Sequence, residues 1–175
     1  MKITHGNLPV LIMLACGVFF STDSQATTNI DITGTVVASP CTVNGGDDTL
    51  AVNLGNNIQA DDLSTPGNGT NWKSFVLKLT DCPASTTSFS VAFSGTTDDD
   101  DAAFYKNTGT ATHLKLELVS KDGNTTYSNG ATLENVLIPA DTRAYNLDMK
   151  ARAVSTGLVM PGTIKGQVQA TFTYQ

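Results

Sequence analysis

Cysteine and histidine are the residue types with the most specific chemistry in this 175-residue chain, which has three cysteines and two histidines. Cys41 and Cys82 lie in the body of the sequence, whereas Cys16 lies in an apolar run near the start. If that start is removed on export, an even pair remains, and such a pair in an oxidising compartment forms a disulfide. Closing a loop of this length stabilises a domain by roughly 3 to 4 kcal/mol. The Cys41–Cys82 pair is therefore predicted to be structural.

The chain lacks the residue sets that metal binding and catalysis require. Structural zinc takes four nitrogen or sulfur ligands, but His113 is the one histidine beyond the N-terminal segment, and no Cys-x-x-Cys spacing occurs. The acidic run Asp98–Asp101 lacks the glycine and glutamate of a calcium loop and is expected to be a solvated turn. A hydrolase site at His113 would need a nucleophile, and there is no Gly-x-Ser-x-Gly elbow. We expect no catalytic residue, no metal and no cofactor.

The first residues, 1–26, have the pattern of a cleaved secretory signal peptide. A basic start precedes an apolar run, Leu8–Phe20, and the stretch Ser24–Ala26 has the small residues that a signal peptidase accepts. The run is too short for a membrane span, which needs roughly 20 apolar residues. A lipoprotein box ending at Cys16 is the alternative, and it is disfavoured because the apolar run continues past that cysteine. The mature chain is predicted to be residues 27–175.

Apolar residues recur with period two through the body, and the helical period of 3.6 does not occur. Short alternating runs separated by turn signals are typical of an antiparallel β-sandwich of immunoglobulin-like kind. The alternating residues are Phe75, Leu77 and Leu79; Phe89, Val91 and Phe93; Leu114, Leu116 and Leu118; and Tyr145, Leu147, Met149, Ala151 and Ala153. The turn signals are Asn44-Gly45, Asn68-Gly69, Asp122-Gly123 and Asn129-Gly130. Because Asp122-Gly123 directly follows a predicted strand, it is the best hairpin candidate.

The N-terminal stretch Thr28–Val36 has the pattern of a strand that docks into another chain. One face of this stretch carries Thr28, Ile30, Ile32, Gly34 and Val36. A glycine inside a strand weakens it unless another backbone must approach closely, so Gly34 suits docking into a crowded groove. The alternative is an ordinary first strand of the chain's own sandwich.

The C-terminal stretch is also a long alternating run. One face of it carries Gly162, Ile164, Gly166, Val168, Ala170, Phe172 and Tyr174. A long terminal strand needs neighbours on both sides, because an exposed edge invites aggregation. The C-terminal strand therefore requires a partner strand, which favours the interpretation of the N-terminal stretch as a strand donated to another molecule.

Taken together, the N-terminal stretch, the cysteine pair and the C-terminal stretch resemble those of the subunits of chaperone-usher pili, and most closely those of the minor tip subunits of type 1-like fimbriae. The resemblance covers essentially the whole mature chain. Its marks are the N-terminal extension with Gly34, the Val-Val-Ala-x-Pro-Cys-Thr-Val run at Val36–Val43, the Leu-Thr-x-Cys-Pro run ending at Pro83, Phe93-Ser94-Gly95, Tyr105-Lys106-Asn107-x-Gly109, Gly162 and the penultimate Tyr174.

The resemblance implies an all-β fold with two parts. A pilin domain, residues 41–175, would be an incomplete immunoglobulin-like β-sandwich that lacks its seventh strand and has a groove beside the C-terminal strand. An N-terminal extension, residues 27–40, would be a donor strand. A periplasmic chaperone would fill the groove during transit, and the extension of the next subunit would then replace the chaperone by strand addition.

The partners implied by the resemblance are the chaperone, the outer-membrane usher and the neighbouring subunits, which would be the adhesin or another adaptor and the rod subunit. The destination would be a fimbrium on the bacterial cell surface. A net charge of −6 disfavours nucleic acid as a partner. The function expected first is an adaptor that links the tip adhesin to the rod. A rod subunit is second, because rod subunits of this family generally have a longer extension, and an adhesin is third, because tip adhesins usually have a second lectin domain.

Overall fold

The computed structural model describes residues 27–175, so the predicted signal peptide lies outside the described residues. The stretch from Thr27 to Pro40 has no regular secondary structure. The chain divides after Thr35, and the body from Val36 to Gln175 contains all the strands that the structure describes. In this described part of the chain, no helix has the length and apolar character needed to cross a membrane.

The body is built almost entirely from strands. They are β1 (Thr42–Val43), β2 (Lys73–Thr80), β3 (Ser88–Gly95), β4 (Tyr105–Lys106), β5 (Thr112–Ser120), β6 (Thr132–Leu137), β7 (Tyr145–Met160) and β8 (Val168–Tyr174). Two single-turn 3-10 helices follow β1 and precede β2, at Asn44–Gly46 and Asp61–Leu63.

The strands form two antiparallel sheets of unequal width. The wider sheet has the order β1-β2-β7-β5-β4, and the narrower sheet has the order β6-β3-β8. In the wider sheet, Leu77 lies opposite Leu147 and Leu116 lies opposite Ala153. These pairings place the predicted alternating residues of β2, β5 and β7 on the inner face of this sheet, because every second side chain of a strand points to the same face. The predicted all-β, two-sheet architecture is confirmed.

The core lies between the inner faces of the two sheets. Leu79, Phe89 and Val91 are fully buried, and the Phe89 ring lies 5.2 Å from the Tyr145 ring and 5.7 Å from the Phe172 ring. Burying a side chain of this size contributes roughly 1.5 to 3 kcal/mol. The core therefore joins β2 and β3, from opposite sheets, to the C-terminal strand β8.

The predicted hairpin at Asp122-Gly123 is present in the structure. Gly123 has a φ of 85°, and its N–H donates to the carbonyl oxygen of Ser120 at 2.8 Å. The chain then returns along β5, where the Tyr127 N–H donates to the Leu118 carbonyl oxygen at 2.9 Å. A residue with positive φ at this point closes the tight turn.

Strands β1, β4 and β6 are absent from the sequence-based prediction. β1 and β4 have two residues each, too few for any period. In β6 the inward residues Leu133 and Val136 are three apart, because the register with β3 shifts between Phe89 and Val91. Asn135 in this irregular part of β6 has a φ of 54°. Such a bulge breaks the period-two signal while the pairing continues.

Cys41 and Cys82 form a disulfide with their Cα atoms 4.2 Å apart. The bond is buried and lies next to the β1–β2 pairing, in which Thr42 is opposite Thr80. Just before Cys41, the Ser39 carbonyl oxygen accepts a hydrogen bond from the Thr86 hydroxyl at 2.6 Å. The covalent bond therefore fixes a two-residue strand that has few hydrogen bonds of its own.

The substitution Cys82→Ser is expected to lower the free energy of unfolding by roughly 3 to 4 kcal/mol, because the unfolded chain regains the conformational entropy that the cross-link removes. The urea midpoint and the yield of exported chain should both fall. Cys16→Ser, in the predicted signal peptide, is the control and should change neither quantity. Equal urea midpoints for Cys82→Ser and the unsubstituted chain would contradict a structural disulfide.

Candidate functional site

A large groove lies beside β8, the last strand of the body. β8 pairs with β3 on one side, from Tyr174 opposite Phe89 to Val168 opposite Gly95. Along its other side, the described residues provide no pairing strand. The groove has a volume of about 2110 Å³, far more than a single side chain could fill.

The groove is a consequence of the unequal widths of the two sheets. A three-stranded sheet cannot cover the whole inner face of a five-stranded sheet, so part of that face faces the groove. The inner-face residues of the wider sheet that line it are Leu77, Leu114, Leu116, Leu118, Met149 and Ala151. From the narrower sheet, Phe93, Ala170 and Phe172 line the opposite side. The groove is therefore a section of sandwich core that lacks one layer of side chains.

A segment without regular structure forms another wall of the groove. Leu50, Val52, Leu54 and Ile58 line it. Val52 and Leu54 are half-buried, whereas Ala51 before them and Asn53 between them are exposed. This alternation is the pattern of a strand, although the segment has no strand partner in the described structure. Two walls with unpaired backbone therefore face the groove, this segment and β8.

Close backbone contact shuts one end of the groove. The Thr108 N–H donates to the Lys165 carbonyl oxygen at 2.8 Å, and the Ala111 N–H donates to the Thr163 carbonyl oxygen at 3.0 Å. The Asn107 side-chain oxygen accepts from the Lys165 N–H at 2.9 Å. We call this contact between residues 107–111 and 162–166 the end clamp.

Glycines make the end clamp possible. A Cβ atom at Gly109 would overlap the Thr163 carbonyl group, and one at Gly162 would overlap the backbone of Thr110 and Ala111. At Gly166 it would collide with the Leu116 side chain. The absence of side chains at Gly109 and Gly162 therefore lets the two backbones approach within hydrogen-bonding distance.

The prediction of one strand from Gly162 to Tyr174 is wrong in its first half. β8 begins at Val168, and Gly162, Ile164 and Gly166 lie in or next to the end clamp instead. The reason is topological, because β7 belongs to the wider sheet and β8 to the narrower one. The connection must cross between the layers, so it cannot continue as one straight strand.

The second half of that prediction agrees with the structure. In β8, Ala170, Phe172 and Tyr174 are half-buried, whereas Gln169, Thr171 and Thr173 are exposed. Val168, on the same face at the start of β8, is 36% exposed. The inner face of β8 therefore keeps its predicted alternation but is incompletely covered.

The predicted donor residues lie in the extended stretch before the body. Thr28, Ile30, Ile32, Gly34 and Val36 belong to no strand in the structure. Ile30, Ile32 and Val36 are 82%, 92% and 100% exposed. Apart from the two chain neighbours of Gly34, no atom of residues 27–175 lies within 4 Å of the position that a Cβ on Gly34 would occupy. Three apolar side chains in one alternating row are thus fully available to a partner.

The one strongly perturbed tyrosine of the groove has a structural explanation. Tyr105 is buried, and its hydroxyl donates to the Tyr127 carbonyl oxygen at 2.8 Å. Burial raises the pKa of Tyr105 to about 12, so the hydroxyl remains neutral at physiological pH. Burial is the cause of this shift, and no charged neighbour contributes to it.

The fold and the groove define the class: a β-sandwich with an open sheet edge, which strand addition can complete. Residues 30–175 match the family model described as Fimbrial protein. The chain belongs to this family.

Related proteins match over nearly their whole length. The S-fimbrial adhesin protein SfaS of Escherichia coli O6:K15:H31 is 38% identical over 168 residues, covering 93% of this chain and 96% of the relative. Protein FimG of Escherichia coli K12 is 34% identical over 155 residues, covering 88% and 89%. Among solved structures, the P pilus rod subunit PapA superposes with a TM-score of 0.62 at 16% identity, covering 84% of this chain and all of PapA.

These findings establish what kind of protein this is. It is a structural subunit of a chaperone-usher fimbria and not an enzyme. It interacts with other pilus subunits and belongs to a fimbrium on the cell surface. Its two-sheet body has the immunoglobulin-like pilin fold.

Gly109→Ala is expected to destabilise the body by about 1 to 3 kcal/mol, the usual cost of overpacking, because the new methyl group would displace backbone rather than a flexible side chain. Thermal unfolding of the purified chain measures the change. Gly34→Ala adds the same methyl group in open space and should leave the melting temperature unchanged. If both variants melted alike, the end clamp would not be a rigid element.

Proposed function

We propose that this chain is an adaptor subunit that is joined to its neighbours by donor-strand exchange. The groove beside β8 accepts a strand from one neighbour, and the stretch Thr28–Val36 is donated to another. The observation that carries the proposal is the coexistence of an unfilled groove of about 2110 Å³ and an unpaired, alternating apolar extension in one chain. A subunit with both features can link two others in series.

The driving force for insertion is the burial of apolar surface together with new backbone hydrogen bonds. A guest strand that buries Ile30, Ile32 and Val36 gains roughly 1.5 to 3 kcal/mol per side chain. The open sheet edge of the neighbour that accepts this strand pairs its free N–H and C=O groups at the same time, as β8 does when it accepts a strand from the other neighbour. Gly34 in the donated strand allows the two backbones to approach closely.

The open edge also explains why the chain would need protection before assembly. The exported subunit presents the edge of β8, with Val168 and Phe172 incompletely covered, and such an edge promotes aggregation. We propose that a periplasmic chaperone covers β8 during transit and that the outer-membrane usher receives the complex. Cleavage after Ala26 would produce the mature chain with its extension, residues 27–40.

We propose the adaptor position rather than the rod position because the N-terminal extension is short. Rod subunits of chaperone-usher pili generally have a longer extension than the one from Thr27 to Pro40. Such a short extension suits a chain used once or a few times per fibre, where no extended rod contact is required. The fold itself is common to both kinds of subunit, as the similarity to the PapA rod subunit illustrates.

An adhesin is the second candidate. The relative SfaS is named an adhesin protein and is covered over 96% of its length by this chain. A relative of the same size therefore has that name without room for an added domain as large as the pilin body.

The donor role is tested by changes on the two faces of the extension. Gly34→Val and Ile32→Asp should abolish strand exchange, the first by overpacking and the second by burial of an unpaired charge. Thr33→Asp places the same charge on the opposite face and should be tolerated. Synthetic peptides spanning residues 27–40 are added to a groove-bearing partner subunit, and the rate of exchange is measured.

The same variants in the whole chain provide the control. Their melting temperatures should equal that of the unsubstituted chain, since Ile32 is exposed and Gly34 is in open space. Lower melting temperatures together with normal peptide exchange would show that the stretch completes its own domain, and the donor role would be refuted.

The adaptor position is tested by counting subunits. Mass spectrometry of purified fimbriae should find this chain in trace amounts relative to the main subunit. Abundance equal to that of the main subunit would identify it as the rod component instead, while leaving the strand-exchange mechanism intact.

A further inference from the structure

The large apolar side chains that residues 27–175 leave exposed are not spread over the whole surface. The donor row and the groove account for Ile30, Ile32, Val36, Leu50 and Val168. The others are Val37, Leu137, Leu158 and Met160. Isolated exposed apolar residues are ordinary in proteins, whereas apolar residues grouped beside a binding groove point to contact with a partner. The positions of these four residues therefore decide whether they form such a surface.

Val37 and Leu137 lie at one end of the body. Leu137 ends β6 opposite Ser88, the first residue of β3, and the Ser88 N–H donates to the carbonyl oxygen of the C-terminal Gln175 at 3.1 Å. The extension also leaves the body here, because the Ser39 carbonyl oxygen is hydrogen-bonded just before the start of β3. We call this end of the body the exit pole.

Leu158 and Met160 lie at the opposite end of the body. Met160 is opposite Thr112, which directly follows the end clamp, and β8 begins beside the same clamp. Leu158 is 67% exposed and Met160 is 53% exposed. Met160 also lines the groove, so apolar surface continues from the groove onto the outside of the body. We call Leu158 and Met160 the entry patch.

A bulge in β7 holds the entry patch outward. From Ser155 to Met160, β7 advances five residues while β5 advances two, from Leu114 back to Thr112. The Ser155 hydroxyl donates to the Gly157 carbonyl oxygen at 2.7 Å and accepts from the Gly157 N–H at 3.3 Å. Ser155 is itself buried. Bulges commonly turn a side chain in a new direction, and this one is fixed by hydrogen bonds inside the body.

The short link between the donor row and the disulfide brings two bodies together when a strand is exchanged. Val36 is the last residue of the donor row, and Cys41 is fixed in the donor's own body. The five peptide units between these two residues span at most about 18 Å. A docked extension therefore holds the donor's body directly against one end of the accepting groove.

That end of the accepting groove is the one with the entry patch. At the exit pole of the accepting subunit, its own extension leaves for the next subunit, so a second body placed there would compete for the same space. With the donor's body at the other end, the incoming strand runs antiparallel to β8. All strand ladders of residues 27–175 have that direction.

We infer that the entry patch binds the body of the subunit whose strand fills the groove. This inference rests on the proposed strand exchange and adds a second contact to it. The exit pole of this chain shows what such a donor presents, since Val37 is 78% exposed and Leu137 is 75% exposed. Apolar surface on both bodies is removed from water when the poles meet. The contact fixes the orientation of one body relative to the next.

Photo-crosslinking in assembled fimbriae tests the inference. The crosslinking residue p-benzoylphenylalanine replaces Leu158, Val168 or Ser74, one at a time, in the full chain expressed by fimbriated cells. Val168 lies in the groove and should crosslink to the extension of one neighbour. Leu158 should crosslink to the body of that same neighbour. Ser74 is exposed on the wider sheet, opposite Lys150 in β7, and should give no such product.

The crosslinks separate the new inference from the function on which it rests. If Val168 crosslinks to an extension while Leu158 gives no more product than Ser74, the body contact is refuted and strand exchange stands. Products from Leu158 with a subunit other than the strand donor would also refute it. If Val168 crosslinks to no extension, strand exchange fails and the body contact fails with it.

A charge in the entry patch provides a second measurement. With the crosslinking residue at Met160, Leu158→Asp should lower the yield of product with the neighbour's body about tenfold, because the contact would bury an unpaired charge. The yield from Val168 should not change, since Leu158 is outside the groove lining. Ser74→Asp is the matched control and should change neither yield. Equal yields from Met160 with and without Leu158→Asp would show that the patch is not buried in the fibre.

Discussion

A narrow sheet packed on a wide one is the constraint on which the rest of this structure depends. The three strands of one layer do not span the whole inner face of the other layer, so Leu114, Leu116 and Leu118 line the groove. The same arrangement leaves β8 with a free edge. Apolar surface and unpaired backbone are thereby exposed in the same place, and a single inserted strand removes both costs.

Two different devices hold the incomplete sandwich in shape while that strand is missing. At one end, the Cys41–Cys82 bond fixes the short strand β1 to the end of β2. At the other end, the end clamp joins residues 107–111 to 162–166 by backbone hydrogen bonds. One device is covalent and the other depends on glycine, and neither occupies the groove. The walls of the groove are thus kept apart and remain accessible.

The fold follows from the sequence wherever one face of a strand is buried, because burial imposes period two. That is why Phe75–Leu79, Phe89–Phe93 and Leu114–Leu118 coincide with β2, β3 and β5. The signal disappears at the bulge in β6, where the inward residues are three apart. It misleads at Gly162–Gly166, where alternation continues although the chain crosses between layers.

Only one of the two walls of the groove can be predicted from the amino-acid sequence. Its β8 wall follows from the alternation of Ala170, Phe172 and Tyr174, whereas the wall at Leu50–Ile58 requires knowledge of which segments lie side by side. The sequence signal for this second wall is the alternation of Leu50, Val52 and Leu54, and three apolar residues are too few to distinguish a strand from a loop.

The position of the disulfide has a mechanical consequence. In a fibre joined as proposed, a pulling force on the extension reaches the body at Cys41, and the covalent bond transmits it to Cys82, at the end of β2. β2 pairs with β7 along nearly its whole length, whereas β1 pairs with β2 through two residues. The disulfide therefore places such a load on the longest ladder that β2 makes and relieves the two-residue strand β1 of carrying it alone.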